Sequence, residues 1–221
     1  MIVAVDGPAG SGKGTITKKI AEDMGFLNLD TGATYRCVAL ETYRNNLDIV
    51  KDEQKIIEIA NKIDIEIDSS GEKDIILLNG EDVTGKIRTK EVTSIVSQVS
   101  SIIPVREKMV EVQRKLAKGK NVIVEGRDIG TVVFPNADLK IYLDASVEVR
   151  ANRRFKEEKE KGTNITYEEV LESIKQRDYN DIHKKFGALK KAEDAILIDT
   201  SNLSIDEVVE KVKGLIRKIK M

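Results

Sequence analysis

A glycine-rich stretch near the start of the chain contains residues suited to holding phosphate groups. It reads Gly7-Pro8-Ala9-Gly10-Ser11-Gly12-Lys13-Gly14-Thr15, and it follows a short apolar run and precedes a helical pattern. Glycines let successive backbone N–H groups turn toward one ligand, and a helix N-terminus adds positive charge. The spacing matches G-x-x-x-x-G-K, whose lysine, here Lys13, reaches the β- and γ-phosphates of a nucleotide. We therefore predict a site for the phosphates of a nucleotide; the alternative is a glycine-rich turn that binds nothing.

The position after the lysine departs from the usual form of such loops. Most have Ser or Thr there to hold magnesium, whereas this chain has Gly14, with Thr15 one residue later. Gly-Lys-Gly-Thr is typical of many nucleoside monophosphate kinases. Because Mg²⁺ often keeps its waters and binds through substrate phosphates, we expect phosphates and water to hold it, with Thr15 as the one candidate protein contact.

Three further clusters combine arginines with hydroxyl, amide or carboxylate groups. They are Asp30-Thr31-Gly32-Ala33-Thr34-Tyr35-Arg36, then Ser97-Gln98-Val99 with Pro104-Val105-Arg106, then Glu125-Gly126-Arg127-Asp128-Ile129-Gly130-Thr131-Val132-Val133-Phe134-Pro135. Through these clusters the sequence resembles the bacterial cytidylate kinase family, nearly from end to end. The segment 126–135 and Asp82-Val83-Thr84-Gly85-Lys86-Ile87-Arg88-Thr89 look like signatures of that family, and they are more specific than the phosphate loop.

The resemblance implies an activity and a fold. The activity is transfer of the γ-phosphoryl group of ATP to CMP or dCMP, giving ADP and CDP or dCDP, within pyrimidine metabolism. The fold is α/β of the P-loop NTPase type, with a parallel five-stranded sheet flanked by helices. A monophosphate-binding insert containing a small antiparallel sheet and a helical lid would complete it.

The resemblance also assigns roles to the cations. Phosphoryl transfer needs positioning and charge neutralisation more than covalent chemistry, so two polyanions require cations on both sides. Arg36 and Arg127 are expected to clamp the acceptor phosphate through paired hydrogen bonds. Lys13, Arg127 and Arg153 would be catalytic, and Arg154 would bind ATP. Arg153 and Arg154 begin the expected lid; the alternative for them is an exposed basic helix face.

A second group of residues is expected to recognise the cytidine. Cytosine carries an amino donor, for which Asp128 is the candidate acceptor, while Arg106 and Ser97 are candidate donors to the ring. The alternatives for Asp128 are a helix cap or a partner of Arg127.

Residues of the expected lid complete the acceptor site. Arg177 and Asp181 share a helix face, and the resemblance implies that they reach the sugar hydroxyls; the alternative is a simple salt bridge. Thr31 and Lys184 complete the CMP-binding set. Lys184 stands where the family often has arginine, so a two-pronged phosphate contact there is in doubt.

The elements that must position these residues alternate short apolar runs with helical stretches, as in βαβ units. The strand candidates are Ile2–Asp6, Phe26–Asp30, Val122–Glu125, Lys140–Asp144 and Ala195–Asp199. Ligands of open α/β sheets bind at the carboxyl ends of strands. We therefore expect Asp6, Asp30 and Glu125 at one rim.

Two stretches interrupt the alternation. Ile63–Ile67 and Ile75–Leu78, separated by Ser69-Ser70-Gly71 and followed by the turn signal Asn79-Gly80, predict a small antiparallel insert. Val147–Leu189 is helical and highly charged. We assign 1–35, 84–146 and 188–221 to the core domain, 36–83 to the monophosphate-binding lobe, with a helix that can extend toward 103, and 147–187 to the lid.

Helix boundaries are also legible in the sequence. Thr166–Glu169 and Ser204–Glu207 are typical capping boxes. A last helix is expected from about Ile205 to Ile219, with an apolar stripe that packs in the core. The members of the stripe are Val208, Val209, Val212, Leu215, Ile216 and Ile219.

Two short strings match GTPase motifs but are in the wrong order. Asn61-Lys62-Ile63-Asp64 matches N-K-x-D and precedes Asp68-Ser69-Ser70-Gly71, a D-x-x-G string, whereas GTPases have the reverse order. The guanine motif should also end a buried strand, and residues 52–62 have helical spacing. We therefore do not predict a GTPase switch.

The composition of the chain excludes several classes of partner and of metal or disulfide site. Lys plus Arg number 37 and Asp plus Glu 38, so the net charge of −1 gives no general attraction to nucleic acid or to anionic membranes. One cysteine and one histidine exclude an internal disulfide framework, a multi-cysteine zinc site and a histidine-rich metal site. We expect a cytoplasmic monomer. The alternatives are another small-acceptor kinase, acting on UMP or a metabolite, and a non-catalytic nucleotide switch.

Overall fold

The computed structural model describes residues 1–68 and 74–220, with the backbone alone described at Lys220. Its helices are α1 Lys13–Met24, α2 Thr31–Arg44, α3 Glu53–Lys62, α4 Lys90–Val99, α5 Ile103–Ala117, α6 Val147–Glu160, α7 Tyr167–Ile182 and α8 Ile205–Lys220. Its strands are β1 Ile2–Asp6, β2 Leu27–Asp30, β3 Ile65–Asp68, β4 Ile75–Leu78, β5 Glu81–Asp82, β6 Val122–Gly126, β7 Leu139–Asp144 and β8 Ile196–Asp199. A 3₁₀ turn covers Lys86–Arg88 and a π-type turn covers Ile129–Val133.

The chain forms two compact units, one of Met1–Asn28 with Lys120–Met221 and the other of Leu29–Gly119. The division falls inside β2. The predicted lobe of 36–83 lies within the second unit, which continues to Gly119; the division into core, lobe and lid stays a prediction.

The first unit is built on a five-stranded sheet in the order β2-β6-β1-β7-β8. β1 runs parallel to β6 and β7, and β8 runs parallel to β7. The predicted parallel sheet is therefore confirmed, with strand ends shifted by no more than one residue. In the register of β1 with β6, Val5 lies opposite Glu125, so Asp6 and Glu125 lie near the carboxyl ends of neighbouring strands.

The last helix covers one face of this sheet. Val208, Val209, Val212 and Ile216 are buried in the same apolar cluster as the sheet residues, which confirms the predicted stripe. Ile219 is 43 % exposed, so the expectation that it packs in the core is wrong. The predicted capping box is present, since Ser204 N–H donates to the Glu207 carboxylate and Glu207 N–H to the Ser204 hydroxyl.

Helices α6 and α7 form a charged pair with a small apolar core. Ala151, Val170 and Ile174 are buried between partly exposed neighbours. The predicted capping box of Thr166 with Glu169 begins α7. The helical prediction is confirmed for Val147–Glu160 and Tyr167–Ile182, whereas residues 183–189 are not helical. That this helix pair acts as a lid stays a prediction.

The second unit combines α2 to α5 with an antiparallel sheet in the order β3-β4-β5. Asn79 and Gly80 have φ values of 51° and 81°, as a type I′ hairpin turn requires at its two central positions. The predicted strand at Ile63–Ile67 begins at Ile65, because Ile63 still caps α3 through its N–H bond to the Ile59 carbonyl. Ser69-Ser70-Gly71 lie outside the described residues.

The structure also shows in which elements the GTPase-like strings lie. Asn61 and Lys62 form the last turn of α3, so the N-K-x-D string does not end a strand. Asp68 ends β3, and the rest of the D-x-x-G string lies outside the described residues. Among the helices of residues 1–68 and 74–220, none is long and apolar enough to cross a membrane.

Candidate active site

The phosphate loop joins β1 to α1 in the first unit, as the motif requires. Gly10 and Gly12 have φ values of 78° and 90°, a region that L side chains rarely adopt. A Cβ atom at Gly7 would lie 2.0 Å from the Leu143 carbonyl oxygen. Glycine at these positions therefore lets the loop lie directly against β7 and curl toward the start of the helix.

Lys13 lies at the start of α1 with its side chain buried in the loop. Its Nζ donates to the carbonyl oxygens of Gly7 and Pro8, each at 2.7 Å, and to the Ser11 hydroxyl at 3.3 Å. Burial and then the positive charge of Arg127 lower the pKa of Lys13, and the charge of Arg177 acts in the same direction. Lys13 and Arg127, which are predicted to bind phosphates, and Arg177, which is predicted to reach the sugar, thus lie within electrostatic range of one another.

Asp181 brings two further predicted residues together. Its Oδ2 accepts from Arg127 Nε at 2.8 Å and its Oδ1 lies 3.1 Å from Lys184 Nζ. Burial acts to raise the pKa of Asp181, but the charges of Arg127 and Lys184 outweigh it and lower the pKa to about 2. The carboxylate is therefore ionised at neutral pH and fixes the orientation of Arg127.

Asp128 is buried at the start of the π-type turn. Its backbone carbonyl accepts from Val132 N–H at 2.8 Å and from Val133 N–H at 3.1 Å, while its side chain makes no capping hydrogen bond to the turn. The structure therefore gives no support to the alternative of Asp128 as a helix cap.

The segment after Asp128 is attached to the end of β1. Ile129 N–H and Gly130 N–H donate to the two carboxylate oxygens of Asp6, each at 2.8 Å. Burial raises the pKa of Asp6 to about 6, against the lowering effect of both amide bonds. Sequence reasoning placed Asp6 at the rim but missed this contact, which depends on tertiary packing.

Arg153 and Arg154 have different surroundings. Arg153 donates to the Thr200 hydroxyl at 3.1 Å and to the Thr200 carbonyl at 2.6 Å. Arg154 is exposed and pairs with Glu157 and Glu158 along α6. The description of an exposed basic helix face therefore fits Arg154, whereas the guanidinium of Arg153 is bound to the segment after β8.

Arg150 is a buried arginine that sequence reasoning missed. Its Nε donates to the Ala145 carbonyl at 2.9 Å, and its Nη1 to the Ala9 carbonyl at 3.0 Å. Its Nη2 donates to Asp178 Oδ2 at 2.6 Å. One side chain thus connects the phosphate loop, the start of α6 and the middle of α7. Its position in a basic helical run was the only available signal.

The remaining predicted residues lie in the second unit. Arg36 Nη1 donates to the Ile87 carbonyl at 3.0 Å and to the Thr93 hydroxyl at 2.8 Å. Arg106 is buried, donates to the Ser100 carbonyl at 3.0 Å and has its guanidinium carbon 5.1 Å from the centre of the Tyr35 ring. Signature residues 82–89 thus provide the carbonyl that holds Arg36.

The other two members of this group are close by in the chain. Thr31 is buried at the first turn of α2, where its carbonyl accepts from the Thr34 hydroxyl at 2.8 Å. Ser97 lies in α4, and its carbonyl accepts from the hydroxyls of Ser100 and Ser101. Asp30 ends β2 and pairs with Arg88 at 3.1 Å.

The predicted site residues are thus divided between the two units. Lys13, Arg127, Asp128, Arg153, Arg154, Arg177, Asp181 and Lys184 belong to the first, with the loop Gly7–Thr15, and Thr31, Arg36, Ser97 and Arg106 belong to the second.

The donor set beside the phosphate loop fits a magnesium ion held through water. A Cβ atom at Gly14 would lie 3.1 Å from Glu125 Oε1. The carboxylate of Glu125 thus occupies space that a Ser or Thr side chain at Gly14 would need. Carboxylate oxygens and water are the ligands that Mg²⁺ prefers.

Comparisons with known proteins agree on one family. The family model described as cytidylate kinase matches residues 3–218. A cytidylate kinase of Caldicellulosiruptor bescii is 50 % identical, covering 98 % of this chain and 96 % of that protein. A cytidylate kinase of Fusobacterium nucleatum is also 50 % identical, covering 100 % and 99 %.

Solved structures agree on the fold. A shikimate kinase of Bacteroides thetaiotaomicron has a TM-score of 0.50 at 11 % identity, covering 98 % of both chains. An uncharacterized protein of Eubacterium ventriosum has a TM-score of 0.53 at 13 % identity, with the same coverage. Together with the five-stranded parallel sheet, these likenesses confirm the expected fold class.

Proposed function

The chain belongs to the cytidylate kinase family, and on that premise we propose that it transfers the γ-phosphoryl group of ATP to CMP or dCMP. The observation that carries the proposal within the structure is the group of cations around the phosphate loop. Burial and then the positive charges of Arg127 and Arg177 lower the pKa of Lys13, and the carboxylates of Glu125 and Asp6 offset this only in part. Bound phosphate groups would stabilise the charged form of the buried lysine. A reaction between two phosphate-bearing substrates supplies them.

The phosphate loop binds the donor in this proposal. The loop N–H groups and Lys13 hold the β- and γ-phosphates of ATP, and Arg153 and Arg154 contribute from α6. Lys13 exchanges the neutral carbonyls of Gly7 and Pro8 for charged phosphate oxygens, which are stronger acceptors. The transferring group is thereby neutralised and held in line for attack.

Magnesium is the proposed companion of ATP. Phosphate oxygens and water would hold the ion, with Glu125 accepting from a bound water and Thr15 as the one candidate direct contact. When bound, Mg²⁺ neutralises charge that develops on the transferring phosphate. Glu125 would then orient water on the protein side of the ion.

The acceptor is held by arginines and read by polar groups. Arg36 and Arg127 bind the phosphate of CMP, with Lys184 close to the same carboxylate that orients Arg127. Asp128, Arg106 and Ser97 read the base, Arg177 and Asp181 bind the sugar, and Thr31 completes the set. No strong general base is required, since the attacking group is already a phosphate oxyanion.

The decisive experiment measures ADP formation with CMP, dCMP, UMP, AMP and GMP as acceptors. We expect turnover with CMP and dCMP and little with the others. Absence of acceptor-dependent turnover would contradict the kinase assignment. Equal rates with UMP and CMP would contradict base reading by Asp128, Arg106 and Ser97.

A substitution separates base recognition from ATP binding. Asp128→Ala should raise the KM for CMP by about tenfold or more, the value of one hydrogen bond to a charged group. The KM for ATP should change far less. An effect confined to the KM for ATP would show that Asp128 does not recognise the base.

The monomeric state, the cytoplasmic location and the absence of nucleic-acid or membrane partners stay predictions. Gel filtration of the purified chain tests the monomeric state.

A further inference from the structure

The carboxylate of Asp6 holds the backbone that follows the two residues proposed to bind CMP. Ile129 N–H and Gly130 N–H donate to its separate oxygens, each at 2.8 Å, and the side chain is buried. We propose that Asp6 is a positioning residue for the acceptor, acting by fixing the segment that orients Arg127 and Asp128. This inference rests on the proposed function of those two residues.

Asp6 is a rigid point of attachment. It is the last residue of β1, and in the sheet it lies opposite Gly126 on one side and Tyr142 on the other. The strand that carries it is therefore fixed on both edges. Since the phosphate loop begins at Gly7, Asp6 connects the start of the donor loop to the segment that carries Arg127.

The two amides that Asp6 binds are donors that the π-type turn leaves without partners inside itself. The first N–H groups of any helical turn have no carbonyl within the turn to bond. The bonds inside this turn run from Val132, Val133 and Phe134 back to the carbonyls of Asp128 and Ile129. A carboxylate can accept from both leading amides at once, whereas an asparagine offers one acceptor and presents an NH₂ group to the second amide.

Gly130 makes the close approach possible. A Cβ atom there would lie 3.3 Å from Asp6 Oδ2 and 3.1 Å from Lys140 Cδ. A side chain at this position would press on the carboxylate and on the neighbouring β7 residue together. The glycine of the Gly-Arg-Asp-Ile-Gly segment therefore has a physical reason in this structure.

The raised pKa of Asp6 indicates that its ionised form does not stabilise the folded state. Burial and then Asp128 raise its pKa, the amides of Gly130 and Ile129 and the charge of Lys13 lower it, and the net value is about 6. Tyr142 and Lys140, from β7, also face this region. A carboxyl whose folded pKa is raised contributes less stability as pH rises through about 6. The proposed role in positioning Arg127 and Asp128 explains why a carboxylate is found here.

The test compares Asp6→Asn with a matched control, Asp138→Asn. Asp138 Oδ2 also accepts a backbone amide of β1, that of Ile2 at 2.6 Å, but at the opposite end of the strand. We expect Asp6→Asn to raise the KM for CMP by about tenfold or more, as loss of a charge-assisted hydrogen bond predicts. The KM for ATP should stay within about twofold, and Asp138→Asn should alter neither.

A purely structural role would give a different result. Asp6→Asn would then lower the melting temperature and the active fraction while leaving both KM values unchanged, and that outcome overturns the proposal. An equal rise in both KM values overturns it as well. If the unmodified enzyme shows no CMP-dependent turnover, the proposed function fails instead, so the two failures are distinguishable.

A second variant and a pH series cover the case in which Asp6→Asn does not fold. Gly130→Ala displaces the same segment without removing the carboxylate and should also raise the KM for CMP selectively. The pH dependence of kcat/KM for CMP should include a step near 6 from Asp6 in the unmodified enzyme. CMP itself titrates near pH 6, so the Gly130→Ala profile should keep the substrate step and alter the protein step. Identical profiles and an unchanged KM in Gly130→Ala would overturn the proposal.

Discussion

The phosphate loop and the helix pair α6–α7 belong to the same unit, yet they are held in different ways. The loop is fixed by backbone geometry, with Gly7 against the Leu143 carbonyl and Lys13 bonded to loop carbonyls. The helix pair has a small apolar core of its own and is attached through two partly buried ion pairs, Arg127–Asp181 and Arg150–Asp178. Removing the Lys13 side chain should therefore remove activity with the fold intact, whereas changes to the ion pairs should weaken structure and acceptor binding together.

The largest expected effect is on turnover. Lys13→Ala removes the cation proposed to hold the β- and γ-phosphates, and kcat/KM should fall by about 10³-fold or more. Because a buried lysine with a lowered pKa contributes little to folding, the melting temperature should change by only a few degrees. Steady-state assays and thermal unfolding measure both. Lys18→Ala, an exposed change on the same helix, is the matched control, and retained activity in Lys13→Ala would contradict the proposed role of the loop.

The next effect tests the attachment of α7. Arg150→Ala removes three hydrogen bonds and leaves the carboxylate of Asp178 without its partner in the pair, so unfolding should become easier by about 3 kcal/mol. Asp178→Asn keeps a polar group beside Arg150 and should cost less, about 1 kcal/mol.

A double-mutant cycle in urea sharpens that result. If the two residues act as a pair, the double variant should cost clearly less than the sum of the single changes. Strict additivity would show that Arg150 acts through the carbonyls of Ala9 and Ala145 and not through Asp178, and the comparison of loop and helices would need revision.

Lys13 and Arg150 also show which features could be predicted from the sequence and which could not. The spacing that identifies Lys13 is local, because one turn joins β1 to α1 and no distant residue is needed to read it. The positions of the strands and the hairpin at Asn79 and Gly80 follow from equally local patterns. Arg150 has no such signature, since its partners Ala9 and Asp178 are far away in the sequence and meet it only after folding. The same reason kept the contacts of Asp6 with Ile129 and Gly130 out of reach.

The pH dependence of the free energy of unfolding tests the ion pair of Arg127 with Asp181. The pKa of Asp181 is lowered to about 2, so its ionised form stabilises the fold at pH values above its unfolded pKa of about 3.9. That contribution, on the order of 2 kcal/mol, should be lost as pH falls from about 4 toward 2. Urea unfolding of the unmodified chain and of Asp181→Asn should therefore differ at pH 6 and converge near pH 2. A constant difference would show that the stabilisation does not depend on the charge of Asp181.

The smallest expected effect comes from a substitution outside the loop and the helix pair. It provides a reference for the stability changes expected in those two regions. Gly214 lies inside α8, and a Cβ atom added there meets no atom within 4 Å. Alanine loses less backbone freedom than glycine on entering a helix, so Gly214→Ala should stabilise the chain by about 0.5–1 kcal/mol. Kinetic constants should not change, because α8 carries none of the proposed site residues. Gly7→Ala makes the same chemical change where the Cβ would lie 2.0 Å from a carbonyl oxygen. Opposite signs for the two substitutions in thermal unfolding would show that the loop glycine is required by geometry, and equal signs would remove that argument.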